Sequence, residues 1–209
     1  MFPFPFSFIG SVVPDVPVDR IANAEAMSFN GVDSYVAFPA TPNTGDISIS
    51  FWVKYSTGYS AFVASGDGIF AYVQFAYQYG ELSFNYANVN YDLTTDIKDG
   101  NWHHVVVTYD RSASTVKGYT DGSLSATHTN KTAGTTNNFQ TIGAWKTGSS
   151  GYFNGEIDEF AVFNTALSPE KIQQIYDATA VVGGVPQTAN LFTGGLDSSL
   201  VYWNRMGDS

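Results

Sequence analysis

The sequence contains no cysteine, which excludes disulfide bonds, thiolate chemistry and cysteine-ligated metal sites. Basic residues are also few: 9 lysines and arginines stand against 19 aspartates and glutamates, a formal charge of −10. Because such a chain repels phosphate backbones, no nucleic-acid partner is predicted. No apolar run approaches the roughly 20 residues of a membrane-spanning helix, so no membrane insertion is predicted either.

The chain is instead rich in aromatic residues and glycine. Of its 209 residues, 44% are apolar, 16% are aromatic and 20 are glycine. This apolar content supports one folded core, and glycine with few charged residues is typical of short strands joined by tight turns. The composition therefore predicts a mainly β domain with little helix.

Strand periodicity is clearest in residues 46–55. Apolar side chains occupy every second position there: Ile47, Ile49, Phe51 and Val53. The pattern predicts a strand whose other side, carrying Trp52, faces outward. Similar short runs recur as far as residue 163, separated by turns such as Asp121-Gly122. The sequence therefore predicts an all-β fold, an antiparallel jelly-roll sandwich of two sheets.

One short helix is predicted after the last of these strands. Ser168 is a suitable N-cap, Pro169 fits the first helical position, and Glu170 complements the helix dipole. An apolar stripe follows, formed by Ile172, Ile175 and Tyr176. We expect this stripe to pack on the sandwich.

Two terminal arms are predicted to flank a jelly-roll domain of residues 23–178. Residues 1–22 form an extended arm, because prolines interrupt them and oppose a helical signal segment. Residues 179–209 form a linker and an aromatic tail. Both arms need a surface, either on this domain or on a neighbouring subunit or assembly. The candidate assembly contacts are Phe2, Phe4, Phe6, Phe8, Tyr202, Trp203 and Arg205.

Four segments together resemble a known superfamily. They are AMSFNGVDSYVAF at 26–38, DISISFWVK at 46–54, GNWHHVVVTYD at 100–110 and GEIDEFAVFNTALSPEKI at 155–172. In this order they resemble the laminin G-like, concanavalin A-like lectin/glucanase superfamily. The resemblance implies two packed antiparallel sheets and, most often, a binding, adhesion or accessory module.

The C-terminal tail carries a second, shorter resemblance. The segment LVYWNRMGD at 200–208 is similar to a segment of structural proteins from marine, cyanophage-like tailed phages. The matching residues are Trp203, Arg205, Met206, Gly207 and Asp208. The similarity implies a virion component.

The segment Gly155 to Ile172 contains a possible catalytic motif that is incomplete. Glu156 and Asp158 lie two positions apart on a predicted strand, so their carboxylates share one face. In the laminarinase-like glycoside hydrolases that the segment resembles, a third carboxylate follows three positions later. Ala161 stands there, and Glu159 has the opposite parity. The chain is therefore predicted not to be an enzyme.

The histidines offer no clear catalytic or metal-binding pattern. His103 and His104 are neighbours on a predicted strand, so they point to opposite faces and cannot share one ion. His128 has no carboxylate nearby in sequence. The pair is best explained as a structural strand entry, although a triad assembled in space stays open.

No cofactor is required by these residues, but calcium is a possible one. Some relatives of the resembled fold bind an ion between an early loop and the last strand, which implies residues 31–33 and Asp158 here. The alternative is that Asp158 and Glu159 accept backbone hydrogen bonds or face solvent. No metal ligands are assigned.

Outward aromatic residues are the candidate ligand-binding groups. Strand alternation places some of them on the outer faces, where they suit either sugar stacking or a protein interface. The candidates are Trp52, Tyr72, Tyr77, Tyr79 and Tyr86.

Three functional hypotheses follow. The first is a non-enzymatic virion structural protein, a capsid-decorating, neck or fibre component on the virion surface. Its arms would bind other virion proteins or copies of itself. The alternative is a secreted, extracellular carbohydrate-binding or adhesion module that recognises cell-surface glycans. A glycoside hydrolase is the remote third possibility, because another acid would have to replace the one missing at Ala161.

Overall fold

The larger sheet has seven antiparallel strands. The computed structural model describes residues 20–21, 23, 25–43, 45–56, 62–65, 71–75, 82–86, 89–93, 97–130, 137–145 and 150–206. The order across the sheet is β11-β10-β9-β4-β13-β15, and β2 also pairs with β13. Its strands are β2 (Met27–Asn30), β4 (Ile47–Lys54), β9 (Trp102–Asp110), β10 (Thr115–Thr120), β11 (Ser123–His128), β13 (Asn154–Phe163) and β15 (Leu200–Asn204).

A six-stranded antiparallel sheet completes the sandwich, in the order β3-β12-β5-β6-β7-β8. Apolar side chains between the two sheets form the main core, which includes Phe51, Phe84, Phe139 and Phe160. The predicted all-β sandwich is thereby confirmed. The strands of this sheet are β3 (Val36–Asn43), β5 (Phe62–Ser65), β6 (Ala71–Phe75), β7 (Leu82–Tyr86), β8 (Val89–Asp92) and β12 (Asn137–Ile142).

The turn between β10 and β11 shows how local sequence fixes the strand pairing. Asp121 and Gly122 both have positive φ angles, of 50° and 77°. Two-residue hairpin turns of this kind match the twist of the flanking strands, and Asp-Gly is among the pairs that adopt them most easily. The turn predicted from the sequence is therefore present, and it aligns β10 with β11.

The outer face of the seven-stranded sheet is covered by a third layer. Helix α1 (Pro169–Ala178) starts at Ser168, whose side chain accepts a hydrogen bond from the Lys171 backbone N–H. Ile172 and Ile175 pack in a second apolar cluster on this face, as predicted. The ring of Tyr176 stacks on Trp52 at 5.9 Å.

This cover overturns one expectation about β4. Its second face was predicted to point outward, but Ser48, Ser50 and Trp52 are all buried, and Trp52 is only 2% exposed. The alternation itself was interpreted correctly. Periodicity within a strand shows that two faces differ, but it does not show what packs against the less apolar one.

The C-terminal residues are part of the domain and do not form a free tail. β15 pairs with β13, which places Trp203 opposite Ala161. Tyr202 stacks on Phe38 at 4.0 Å, and Met206 is fully buried. In the described part of residues 179–209, the surface that these rings cover therefore belongs to their own domain, which is one of the two alternatives left open for the arm.

The N-terminal side enters the description at β1 (Arg20–Ile21), which pairs with β14 (Thr188–Ala189). The predicted assembly contacts Phe2, Phe4, Phe6 and Phe8 lie outside the described residues. Within the described part, no helix is long and apolar enough to cross a membrane.

Candidate functional site

The GEIDEF strand contains a β-bulge that changes the direction of one carboxylate. The register between β13 and β4 shifts between Asp158 and Ala161, so one extra residue lies on β13. Glu159 has a φ angle of +51° there. A bulge of this kind interrupts the strict alternation of side chains. Glu159 therefore lies on the same outer face as Asp158, and the predicted opposite parity is wrong.

Both carboxylates are occupied by structural contacts. Asp158 accepts hydrogen bonds from the Asn23 side chain at 2.7 Å and from the Glu159 backbone N–H at 2.8 Å. Glu159 accepts from the hydroxyl of Thr188 and from Trp203 Nε1 at 3.1 Å. These contacts join the segments before β2 and after α1 to the sheet. The expectation that the two acids accept backbone hydrogen bonds holds for Asp158.

A buried serine–histidine pair lies on the same face. Ser50 Oγ is 2.9 Å from His104 Nε2, and burial lowers the pKa of His104 to about 4. His104 Nδ1 has no hydrogen-bond partner in the described structure, so no acid orients the ring as a triad requires. We call Ser50, Trp52, His104, Asp158 and Glu159 the sealed cluster.

The space inside the sealed cluster is too small for a ligand. The cavity measures about 10 Å³ and is closed by α1 and by the segment around Ala189 and Leu191. That volume is about what one water molecule needs. The space beside these residues is therefore too small to admit a sugar or a peptide.

His103 points away from His104, as the strand geometry predicted. Its Nδ1 lies 2.8 Å from Asp121 Oδ2, and its Nε2 lies 3.2 Å from Asp99 Oδ1. The hydrogen bond with Asp121 raises the pKa of His103. The two histidines consequently belong to separate environments and share no ion.

The two halves of the suggested calcium site are separated in the fold. The Gly31 backbone N–H bonds to Phe153, at the start of β13. Asp158 comes five residues later, which corresponds to roughly 16 Å along a strand. Asp33 is exposed whereas Asp158 is fully buried, so one ion does not join them. Calcium at another position stays a prediction.

The predicted ligand-binding aromatics are only partly described. Trp52 is buried under α1, so its predicted role as an outward ligand-binding ring is wrong. Tyr72 and Tyr86 occupy strands β6 and β7, and Tyr77 and Tyr79 lie outside the described residues. The ligand-binding role of these four tyrosines stays a prediction.

An open groove lies on the outer face of the seven-stranded sheet, beside the N-terminal end of α1. Its volume is about 270 Å³. We call it the sheet-helix groove. It is lined by Thr108, Asp110, Ala113, Thr115, Lys117, Tyr119, Ala166, Leu167, Ser168 and Pro169.

The floor of the sheet-helix groove is built by β9 and β10. Lys117 lies directly opposite Thr108 in the strand register, and Tyr119 follows two positions later on the same face. Thr108 is 3% exposed and Tyr119 is 2% exposed. Neither hydroxyl hydrogen-bonds to another described residue, although both line the groove. These hydroxyls are therefore available to a ligand.

One wall of the groove is a rigid turn between β9 and β10. Asp110 Oδ1 accepts hydrogen bonds from Ser112 Oγ and from the Ala113 backbone N–H, both at 2.8 Å. These two bonds lower the pKa of Asp110, the Ala113 bond most. Thr115 Oγ1 donates to the Ala113 carbonyl at 3.0 Å. Asp110 is thus a fixed, ionised acceptor at the groove edge.

The other wall is the start of α1, where Leu167, Ser168 and Pro169 add apolar and capping groups. Burial, followed by the charge of Glu170, raises the pKa of Tyr119, which keeps its hydroxyl protonated at neutral pH. The groove therefore combines hydroxyl and ammonium donors, one carboxylate acceptor and an apolar side.

No pattern in the sequence predicted this groove. Thr115, Lys117 and Tyr119 alternate with Val116 and Gly118, so their common face was readable from the strand pattern. The neighbouring strand and the start of the helix are far away in sequence. The pattern therefore identified the floor residues without indicating that a wall stands beside them.

The chain belongs to the concanavalin A-like lectin/glucanases superfamily, whose sequence profile matches residues 30–173. This family was expected from the four resembling segments and is confirmed. No protein with a curated description matches the chain.

Solved structures with the same fold are similar at low identity. A candidate carbohydrate-binding protein of Bacteroides ovatus has a TM-score of 0.63 and 14% sequence identity to this chain. The alignment covers 92% of this chain and 53% of the Bacteroides protein. This chain therefore spans about half of that protein.

Two smaller relatives are covered almost completely. Domain 4 of an extracellular GH43 arabinanase of Geobacillus stearothermophilus, solved with arabinotriose, has a TM-score of 0.56 and 22% identity over 79% of this chain and 87% of its own. The sialidase CBM40 of Ruminococcus gnavus, solved with α2,3-sialyllactose, has a TM-score of 0.56 and 14% identity over 73% of this chain and 97% of the CBM40 chain. At these identities the similarity shows the fold.

Proposed function

We propose that this chain is a non-catalytic carbohydrate-binding module that holds a sugar in the sheet-helix groove. The observation that carries the proposal is a pair of hydroxyls on the largely buried residues Thr108 and Tyr119, both of which line the groove without a hydrogen-bond partner among the described residues. Sugar sites need a few fixed polar groups beside an apolar surface. Lys117 and Asp110 add a donor and an acceptor, and Leu167 and Pro169 add the apolar surface.

The size of the groove supports a small ligand. Pockets for small molecules measure about 300 Å³ and more, and this groove is close to the lower limit. It suits one or two sugar rings rather than a long chain. The arabinotriose and sialyllactose found in the two smaller relatives are trisaccharides, slightly longer than this groove would enclose, and they support the proposal through the fold alone.

The acids of the GEIDEF strand are not arranged as an accessible catalytic pair, which supports binding without catalysis. Glycosidases place two carboxyl groups about 5 to 9 Å apart around the bond they cleave. Here Asp158 and Glu159 lie in the sealed cluster, and Glu156 forms an ion pair with Lys54 at 2.9 Å. Within the described residues, Asp110 is the acid that lines the groove.

A groove-filling variant tests the proposal. Ala113 is exposed and lines the groove, so Ala113→Trp should fill it without disturbing the core. Binding to a glycan panel, measured by array and then by calorimetry, should be lost. Val182→Trp is the matched control, because Val182 is exposed near the opposite end of β9. Failure of the unmodified protein to bind any glycan saturably contradicts the proposal, and so does full binding by Ala113→Trp.

Display of this module on a virion surface stays a prediction, with secretion as the alternative. The tail contacts that motivated it, Tyr202 and Trp203, pack inside the domain. The remaining support is the phenylalanine stripe of residues 2–8. Deletion of residues 1–10 should abolish self-assembly, or assembly with other virion proteins, while the sandwich stays folded. Unchanged assembly in light scattering would contradict the arm.

A further inference from the structure

We infer that the ligand of the sheet-helix groove is an anionic sugar, whose carboxylate or sulfate group binds at Lys117. This inference rests on the proposed function, and it concerns the chemical class of the ligand. Its basis is the distribution of donors and acceptors along the groove floor, which the strand register fixes.

One end of the floor carries three groups that can donate hydrogen bonds to an oxyanion. Lys117 and Thr108 are directly opposite, so their Cβ atoms are about 5 Å apart, and Tyr119 lies about 7 Å further along β10. An ammonium and two hydroxyls thus converge on one region. A carboxylate or sulfate can accept hydrogen bonds from all three, whereas a neutral sugar hydroxyl satisfies fewer of them.

The charge of Lys117 is available at this position. Among the described residues it forms no ion pair, although Asp110 lies close enough for a weak electrostatic effect. A lysine without an ion-pair partner among the described residues, beside the hydroxyls of Thr108 and Tyr119, is a suitable anion-binding group. Leu167 and Pro169 line the same groove and add apolar surface to it, and an apolar surrounding strengthens electrostatic attraction.

The opposite end of the floor suits neutral hydroxyls. Asp110 lies opposite Thr115, two positions from the Lys117–Thr108 pair along both strands. Its carboxylate would repel an anion and accept from sugar hydroxyls. The two ends of the groove therefore differ in charge, and this difference would orient a sugar ring with its anionic substituent toward Lys117 and Tyr119.

Two sources of negative charge, the nearby Glu170 and the net charge of the chain, weaken this attraction without removing it. Glu170 on α1 is exposed and does not line the groove. The net charge of −10 repels anions at long range, but at physiological salt such repulsion is screened beyond about 8 Å. The contact with Lys117 acts within that distance.

Calorimetry with matched sugars tests the inference. The probes are oligogalacturonates and sulfated galacto-oligosaccharides, compared with neutral galacto-oligosaccharides of the same length. We expect at least one anionic probe to bind the unmodified protein, and Lys117→Gln to weaken that binding about tenfold or more. Lys117→Arg should retain most of it.

Lys171→Gln is the control for net charge. Lys171 lies on α1, where its ammonium donates to Gln174, and it does not line the groove. Lys171→Gln therefore changes the total charge as much as Lys117→Gln does, but outside the groove. Unchanged binding in this control supports the inference. If only neutral probes bind, the inference fails while the proposed function stands. The same holds if Lys117→Gln and Lys171→Gln weaken binding equally. If no probe from the panel binds, both fail.

Discussion

The outer face of the seven-stranded sheet carries two groups of polar side chains, and they differ in what covers them. The sealed cluster lies under α1 and the C-terminal segment, around a cavity of about 10 Å³. The groove residues Thr108, Lys117 and Tyr119 lie on the same face beside the start of α1, against an open space of about 270 Å³. The same sheet thus supports one closed and one open polar region.

Chemical type alone therefore does not identify a site. The sealed cluster holds the residues that catalysis most often uses, a serine, a histidine and two acids, yet nothing larger than a water fits beside them. The groove holds an unremarkable set of threonine, lysine and tyrosine with free hydroxyls. Open volume and unused hydrogen-bonding groups, together, distinguish the binding region from the structural one.

The largest expected effect is the removal of the ring at the centre of the sealed cluster. Trp52 packs against His104 and Tyr176, with ring centroids at 5.4 and 5.9 Å. Trp52→Ala should lower the free energy of unfolding by about 3 to 5 kcal/mol, because it leaves a cavity under α1. Urea denaturation measures this. A loss below about 1 kcal/mol would show that the cover is loose and the cluster accessible.

The second prediction concerns acid. Burial lowers the pKa of His104 from 6.5 to about 4 in the folded protein. The unfolded chain therefore binds a proton that the folded chain does not, between these two pH values. Stability from this residue should fall as pH decreases from about 6.5 to about 4, by on the order of 3 kcal/mol.

Denaturation curves recorded through this pH range check the effect. His104→Gln, which can still hydrogen-bond Ser50, should flatten the dependence. The raised pKa of His103 acts in the opposite sense, since its contribution is present below pH 6.5 and is lost as pH rises through its folded value. An unchanged pH profile in His104→Gln would mean that His104 is not sealed.

The third prediction compares two acids on one strand. Glu159→Gln removes the charge that accepts from Thr188 and Trp203, which should cost about 2 kcal/mol. Glu156→Gln breaks the half-exposed ion pair with Lys54, which should cost less than about 1 kcal/mol. Chemical denaturation of both variants measures the difference. Equal losses would contradict the structural role of Glu159.

The strand and helix elements were predictable because they depend on nearby residues. Alternating Ile47 to Val53 defined β4, Asp121-Gly122 defined a hairpin turn, and Ser168-Pro169 defined the start of α1. Each signal acts within a few positions of the chain. The family resemblance then supplied the arrangement of the two sheets.

The site was not predictable, because three of its determinants act at long range. The bulge at Glu159 reverses the expected direction of a carboxylate. The chain returns as β15 and places Trp203 opposite Ala161 on β13, whereas the sequence left open which surface the tail covers. The burial of Trp52 depends on α1, more than a hundred residues later. None of these leaves a periodic signal around the residue that it affects.

The smallest expected effect on stability should carry the clearest effect on binding. Tyr119→Phe removes a hydroxyl that lines the groove and has no protein partner in the described structure, so the free energy of unfolding should change by less than about 0.5 kcal/mol. Affinity for a bound glycan should fall about fivefold or more, because one donor is lost.

Tyr202→Phe is the matched control outside the groove, since the Tyr202 hydroxyl accepts from Asn204 at 3.0 Å. That variant should lose about 1 kcal/mol of stability and no affinity. Calorimetry and urea denaturation on both variants separate the two regions, and an affinity loss confined to Tyr202→Phe would place the binding surface elsewhere on the sandwich.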